Sequence, residues 1–185
     1  MTDSPYQSLL NTMTKHHKAM GEYLPPVDQW HPALSGLMDI RIAADGTWYH
    51  EGDAIQRLSL VKLFSSILKR EDDEYFLVTP IEKWQIRVDE VPFVAVILEV
   101  VGEGSSNQAL VFTCITGDIA IAGKDHPIRV EIDAVTGEPS PYILLRSNLE
   151  AKICRSAYYQ LAELAVPSGE DAYTVSSQGE QFQFQ

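Results

Sequence analysis

The stretches REDDEYFLVTP (residues 70–80) and GEDAYTVSS (residues 169–177) follow one order, an acidic run and then an apolar, β-rich segment, and each closes a longer unit built the same way. In the first unit MDIRIA alternates like a half-buried strand, Asp45-Gly46 supplies the positive-φ position of a tight hairpin, and TWYHEG returns. Asp53, three residues before Gln56, reads as a capping box. Leu60, Val61, Leu63, Phe64, Ile67 and Leu68 form a helical stripe, with Lys69 and Arg70 where a helix dipole favours cations. EYFLVTP is then a strand. In the second unit PIRVEI alternates, TGEPSP turns and YILLRS returns. Ser147 and Glu150 form a second capping box, and Leu149, Ile153, Ala157, Leu161 and Leu164 make the stripe of a helix stopped by Pro167. The pattern predicts two duplicated β-β-α-β units, each too small to bury its own faces and stacked so that each covers the other.

A chain of 185 residues can bury a core without covalent staples, and its 45% apolar and 22% charged residues are those of an ordinary globular protein. The longest apolar run, VPFVAVILEVVG, is interrupted by Glu99 and is too short for a membrane span. The opening MTDSPYQSLL has neither the basic nor the apolar region of a signal peptide, so a cytoplasmic protein is expected. Cys114 and Cys154 have no metal-binding spacing; the first is expected in a strand, the second in a helix, both reduced. Fourteen Lys and Arg against 26 Asp and Glu give a formal charge of −12, which disfavours extended nucleic acid and leaves room only for a local basic pocket.

Residues 1–34 read as an N-terminal helix over 4–20, carrying Tyr6, Leu9, Leu10, Met13 and Met20, and a proline-rich linker, YLPPVDQWHP, anchored by Trp30. Residues 35–80 form the first α+β half. Residues 81–185 form a β-rich second half, in which KWQIRVDEV, FVAVILEVV, ALVFTCI and DIAIAG add strands before the last unit. That order fits an α+β fold whose C-terminal half is a bent antiparallel sheet or barrel capped by a helix, similar in architecture to the pleckstrin-homology fold.

The segments DGTWYHEG, LFSSILKRE, LVTPIEKW, IRVDEVPF, HPIRVE and SPYILLRSNLEAKICRSAYYQLAELA together resemble the bacterial domain-of-unknown-function family 1285 over about residues 35–183. The resemblance implies a duplicated core, a C-terminal part like the pleckstrin-homology fold, a ligand site between the halves, and a signalling role with a nucleotide-like ligand. It brings no catalytic residues. Trp84, after Thr79–Lys83, departs from the small or basic residue usual there and would alter the pocket wall.

Arg41, Arg57, Arg129, Arg146 and Arg155 all fall in the repeated units of an acidic chain. A guanidinium can fork to a phosphate or carboxylate. The competing role is pairing with Glu150, Asp118 or Asp89. Arg155 borders the apolar stripe of the second helix and Tyr158 lies near it, able to stack or donate its hydroxyl. Thr79 and Glu82 flank Pro80, where a strand must stop; they are either an exposed turn or polar lining of a cleft.

His16 and His17 are neighbours on a polar face and cannot chelate together, and Glu71–Glu74 reads as a solvated loop. No nucleophile-base pair, metal set or phosphate loop is legible, and VGEGSSN joins two strands without opening a helix. No cofactor and no metal are expected. The chain reads as a non-enzymatic cytoplasmic regulatory protein that binds a small anionic, nucleotide-like ligand between its halves through Arg57, Thr79, Glu82, Arg146, Arg155 and Tyr158. The alternative is an adaptor that holds a peptide or partner protein.

Overall fold

Alternating strands punctuated by turns dominate both halves of the chain. The structure, a computed structural model, describes residues 4–7, 9–11, 24–169 and 172–184. Contacts divide the chain into two units, Met1–Glu90 and Val91–Gln185. Each carries a six-stranded sheet in a mixed α+β fold made mostly of strands.

In the first unit β1 (Leu34–Ile42), β2 (Trp48–His50) and β3 (Asp53–Ala54) form an antiparallel meander. Its first turn is the expected hairpin: Gly46 takes φ +86°, and the Thr47 N–H donates to Asp45 Oδ1 at 2.9 Å. Helix α1 (Leu58–Ser66) follows, then a second meander of β4 (Leu68–Glu71), β5 (Glu74–Val78) and β6 (Lys83–Val88). The acidic run is the β4–β5 turn. Glu71 pairs with Glu74, leaving Asp72 and Asp73 between them, and Asp72 takes φ +54°, which a short polar side chain tolerates.

The two meanders join where β1 and β6 run parallel, giving the order β3-β2-β1-β6-β5-β4. Met38, Ile40 and Ile42 alternate inward on β1, whereas Tyr75–Val78 are buried without interruption, as a strand covered on both faces requires. Helix α1 buries Val61 and Phe64, and Phe64 stacks with Trp48 of β2 at 6.3 Å between ring centres. Residues 5–7 and 9–11 are helical; Leu9 is fully buried and Tyr6 stacks on His50 at 3.9 Å. The rest of the expected N-terminal helix, with Met13, His16, His17 and Met20, lies outside the described residues. The proline-rich linker holds one 3₁₀ turn, Val27–Gln29, and Trp30 anchors it through its carbonyl, which accepts from Lys69 Nζ at 3.1 Å.

In the second unit β7 (Phe93–Val101), β8 (Ala109–Cys114) and β9 (Ile119–Ile121) form one meander, and β10 (Ile128–Ile132), β11 (Pro139–Arg146) and β12 (Leu149–Ile153) another. Strands β12 and β7 run parallel, so the order is β10-β11-β12-β7-β8-β9. Helix α2 (Arg155–Leu164) packs on β7 through Ala157 and Leu161 as its buried residues. A three-stranded sheet of β13 (Val166–Pro167), β14 (Tyr173–Ser177) and β15 (Glu180–Phe184) closes the chain. Ser177 ties it to the larger sheet: its Oγ accepts from the Leu110 N–H at 2.9 Å and donates to the Ala122 carbonyl at 2.6 Å.

The duplication is real but its frame differs from the expected one. Both large sheets are two antiparallel meanders in which the first strand of one lies parallel to the last strand of the other, so the repeat runs β1–β6 and β7–β12. The β-β-α-β frame fails because helices follow different meanders in the two units. Strand β6, grouped from sequence order with the second half, lies at the centre of the first sheet.

Both expected capping boxes also fail. Asp53 belongs to β3 and α1 starts after Arg57 without a side-chain cap; Lys69 and Arg70 lie in β4, because the helix ends at Ser66. Ser147 stands in a turn at φ +48°, and Leu149–Ile153 is a strand. A spacing of four is a multiple of the strand period of two, so Leu149 and Ile153 share a face in a strand as they would in a helix. Buried Ala151 between them fits only the strand. Cys154 is consequently the N-cap residue of α2, outside the helix proper.

Glu71 on β4 links two strands, accepting from Lys83 Nζ of β6 at 2.8 Å and from Lys69 Nζ of its own strand at 3.2 Å. The hydrogen bond from Lys83 is the main reason its carboxyl titrates below the ordinary range. A depressed folded value contributes stability that is present above the unfolded value, about 4.3, and is lost as pH falls through the folded one. The carboxylate is partly exposed, which screens the pair. Glu71→Gln is therefore expected to lower unfolding free energy by about 0.5–1 kcal/mol at neutral pH. In urea melts the difference from the parent should disappear at about pH 3.

Candidate functional site

Three of the five arginines are committed to carboxylates. Arg41 Nε lies 3.2 Å from Asp89, Arg129 Nη2 donates to Glu150 at 2.7 Å, and Arg146 at the end of β11 pairs with Asp118 in the β8–β9 turn. Each also sits over an aromatic ring, Tyr49, Tyr142 and Phe93 respectively. Arg146 and Asp118 are mostly buried, and Thr116 Oγ1 donates to the same carboxylate, so this guanidinium serves the inside of the second unit. Arg155 differs: it is exposed on the first turn of α2 and makes no ion pair or hydrogen bond among the described residues.

Arg155 lines a groove of about 310 Å³ on the second unit with Glu138, Ser140, Lys152, Tyr158 and Tyr159, walled by Pro139, Pro141 and Ile153. The local sequence builds it. Arg155, Tyr158 and Tyr159 stand at i, i+3 and i+4 of α2 and so share a helix face. Ser140 on β11 and Lys152 on β12 come from neighbouring strands of one antiparallel pair. The Tyr158 ring is held against Phe184 at 6.1 Å, and its burial raises the hydroxyl's pKa, which keeps it a donor at neutral pH. Two cationic side chains and two phenols, with the Glu138 carboxylate as the one acid, suit a compact anion attached to a flat or apolar body.

Of the six residues expected at one site, Arg155 and Tyr158 line this groove. Arg146 lies on the same unit in its pair with Asp118. Arg57, Thr79 and Glu82 belong to the first unit. Arg57 is the exposed N-cap residue of α1, and its charge lowers the Tyr6 pKa against the larger raising effect of burial. Thr79 is fully buried and shapes the β5–β6 turn: its Oγ1 accepts from the Glu82 N–H at 3.0 Å, and its own N–H donates to the Glu82 carbonyl at 2.8 Å. Lys152, Ser140 and Tyr159 were missed. The tyrosine spacing was legible; Lys152 was hidden by reading β12 as helix.

Among the described residues no group of three or more His, Cys, Asp or Glu could hold a metal, and no helix is long and apolar enough to cross a membrane. A family model described as the N-terminal domain of DUF1285, a domain of unknown function, matches residues 25–91, and one described as its C-terminal domain matches residues 92–184. A crystal structure at 2.50 Å resolution of a DUF1285 family protein from Silicibacter pomeroyi DSS-3 is similar with a TM-score of 0.84 and 44% identity, over 98% of this chain and 94% of that one. Another, at 1.40 Å resolution, of a DUF1285 family protein from Shewanella baltica OS155 has a TM-score of 0.53 and 29% identity, over 67% of this chain and 90% of that one. No curated protein matches the chain.

The two thiols, both free, should behave differently. Burial pushes Cys114 up from an ordinary 9 to about 12, with the Asp118 charge adding to the rise. A raised folded value means that the stability tied to this thiol is intact below about pH 8.5 and falls as pH climbs toward the folded value. Brief alkylation of the native protein near pH 8 should label half-buried Cys154 and spare Cys114, with peptide mass spectrometry reading the sites. In urea the parent should lose stability between about pH 8.5 and 11 more steeply than Cys114→Ala.

Proposed function

The chain belongs to the DUF1285 family, and from that premise we propose that it is a non-enzymatic, cytoplasmic regulatory protein that binds a small, nucleotide-like anion. The single observation that carries the reading is Arg155, a guanidinium without a protein partner among the described residues, in a groove with Lys152 and two tyrosines. In this reading Arg155 forks to the phosphate, Lys152 adds a point charge, the Tyr158 hydroxyl donates, and Tyr159 lies flat against the base. Glu138 favours a ligand with few negative charges, or one whose base offers it a donor. A pleckstrin-homology-like architecture for the second unit belongs to the same proposal, supported by a mostly antiparallel sheet with helix α2 packed on β7.

A peptide-binding adaptor is the second reading. It is favoured by Pro139 and Pro141 beside Tyr158 and Tyr159, an aromatic and proline-lined wall of the kind that extended peptides use.

Thermal unfolding against nucleoside monophosphates and inorganic phosphate tests the first reading. A ligand at a hundred times its Kd is expected to stabilise the protein by about 2.7 kcal/mol. Arg155→Gln should weaken binding by roughly tenfold or more while leaving the unliganded melting temperature unchanged, because the side chain supports nothing else. No shift with any nucleotide, or equal binding by the variant, would overturn the anion reading and leave the peptide reading to be tested with proline-rich peptides.

A further inference from the structure

A second groove, of about 500 Å³, opens beside the edge strand β9 and is lined by Ile119, Ile121, Lys124, Asp125, His126 and Gln178, none of which borders the α2 groove. Its frame is fixed by the backbone. Gly123 and His126 exchange both main-chain hydrogen bonds, each at 3.2 Å, so Lys124 and Asp125 are the two central residues of a closed turn. They carry opposite charges yet do not pair, and among the described residues neither side chain has an ion pair or a hydrogen bond.

His126 is oriented as firmly. Its Nδ1 lies 3.0 Å from the Leu144 carbonyl oxygen, which can only accept, so Nδ1 carries the proton and Nε2 of the neutral ring is left as an acceptor. Gln178 is drawn in over Gly123: a Cβ at that glycine would stand 2.7 Å from Gln178 Oε1. Gly123 has no positive φ, so its lack of a side chain serves this close approach and not the backbone. The remaining wall is apolar and open, with Ile119 63% and Ile121 37% exposed on the same face of β9.

A cation, an anion held apart from it and an uncovered branched apolar wall are the three groups that complement an apolar amino acid. Its carboxylate meets Lys124, its ammonium meets Asp125 with His126 Nε2 as a further acceptor, and its side chain covers Ile119 and Ile121. A phosphate or nucleotide would face the Asp125 carboxylate, a fatty acid would leave that carboxylate unmatched, and a metal ion would face the Lys124 ammonium. We infer that this groove binds an apolar α-amino acid, free or as a short apolar peptide. The site is independent of the anion groove.

Titration of the isotopically labelled full chain, read from the amide signals of Ile121, Lys124, Asp125 and His126, tests this. L-leucine or L-leucyl-L-leucine should move these signals saturably and glycine should not. A tighter fit for the dipeptide identifies a peptide site, and a tighter fit for leucine a free amino acid site. Asp125→Asn should weaken leucine about tenfold without changing N-acetylleucine, and Lys124→Gln should do the same without changing leucinamide, the size expected for one charge-assisted hydrogen bond. Gly123→Ala, which displaces only the Gln178 amide, should weaken leucine while the melting temperature holds. Arg155→Gln should leave leucine binding unchanged. The inference is overturned if neither leucine nor the dipeptide gives a saturable shift, or if Asp125→Asn and Lys124→Gln bind leucine like the parent.

Discussion

Each six-stranded sheet depends on one parallel strand pair whose members are distant in the chain: β1 with β6, in registers such as Ile42 with Val88, and β12 with β7, as in Ala151 with Phe93. A three-stranded meander alone has two open edges and little hidden surface. Joining two of them through a parallel seam removes one edge from each and puts the seam in the middle, where both faces can be covered. In the second unit the seam is covered, with Ala95 and Ala151 fully buried and Ile153 nearly so; in the first only one face is, Ile42 being fully buried while Arg41 and Arg87 of the same seam are exposed. Bringing such strands together costs loop-closure entropy before any contact repays it, so the seam must bury enough apolar surface to offset that loss.

The seam also positions what the second unit displays. Strand β12 is fixed against β7, and the Cys154 N–H at its end donates to the Ala95 carbonyl of β7 at 2.9 Å. Helix α2 starts at the next residue, so Arg155 and Tyr158 inherit their place from that bond, and Lys152 inherits its own from the strand pairing. At the far edge of the same sheet, β9 and its turn are held by Arg146 with Asp118 and by His126 against Leu144. Both grooves therefore rest on one sheet, with their side chains carried on a backbone that is fixed by hydrogen bonds.

Local chemistry was legible where it is decided locally. The Asp45-Gly46 hairpin, the inward face of β1 and the existence of strand β5 could all be read from residue order, because turn geometry, alternation and β-rich apolar runs are properties of neighbours. Parallel pairing carries no such mark, so the frame of the duplication was misplaced and β6 was grouped with the wrong half. The helix expected through Ala157, Leu161 and Leu164 is there, but its supposed first turns, Leu149 to Ile153, were misread because a spacing of four satisfies helix and strand alike until Ala151 is seen to be buried. Site residues divided the same way. That Arg41, Arg129 and Arg146 would pair with Asp89, Glu150 and Asp118 could be anticipated from charge alone, whereas the groove around Arg155 needed the pairing of β11 with β12.

Native-state hydrogen exchange followed residue by residue in increasing denaturant is the most direct measurement of whether the parallel seams hold the sheets together. The account predicts that hydrogen-bonded seam amides around Ile42 and Val88, and around Ala95 and Ile153, exchange only through the largest opening of their own unit, together with the meander strands on either side. If the seam amides exchange by a smaller opening while β4–β5 or β10–β11 stay protected, the meanders are stable without the seam and the account is contradicted.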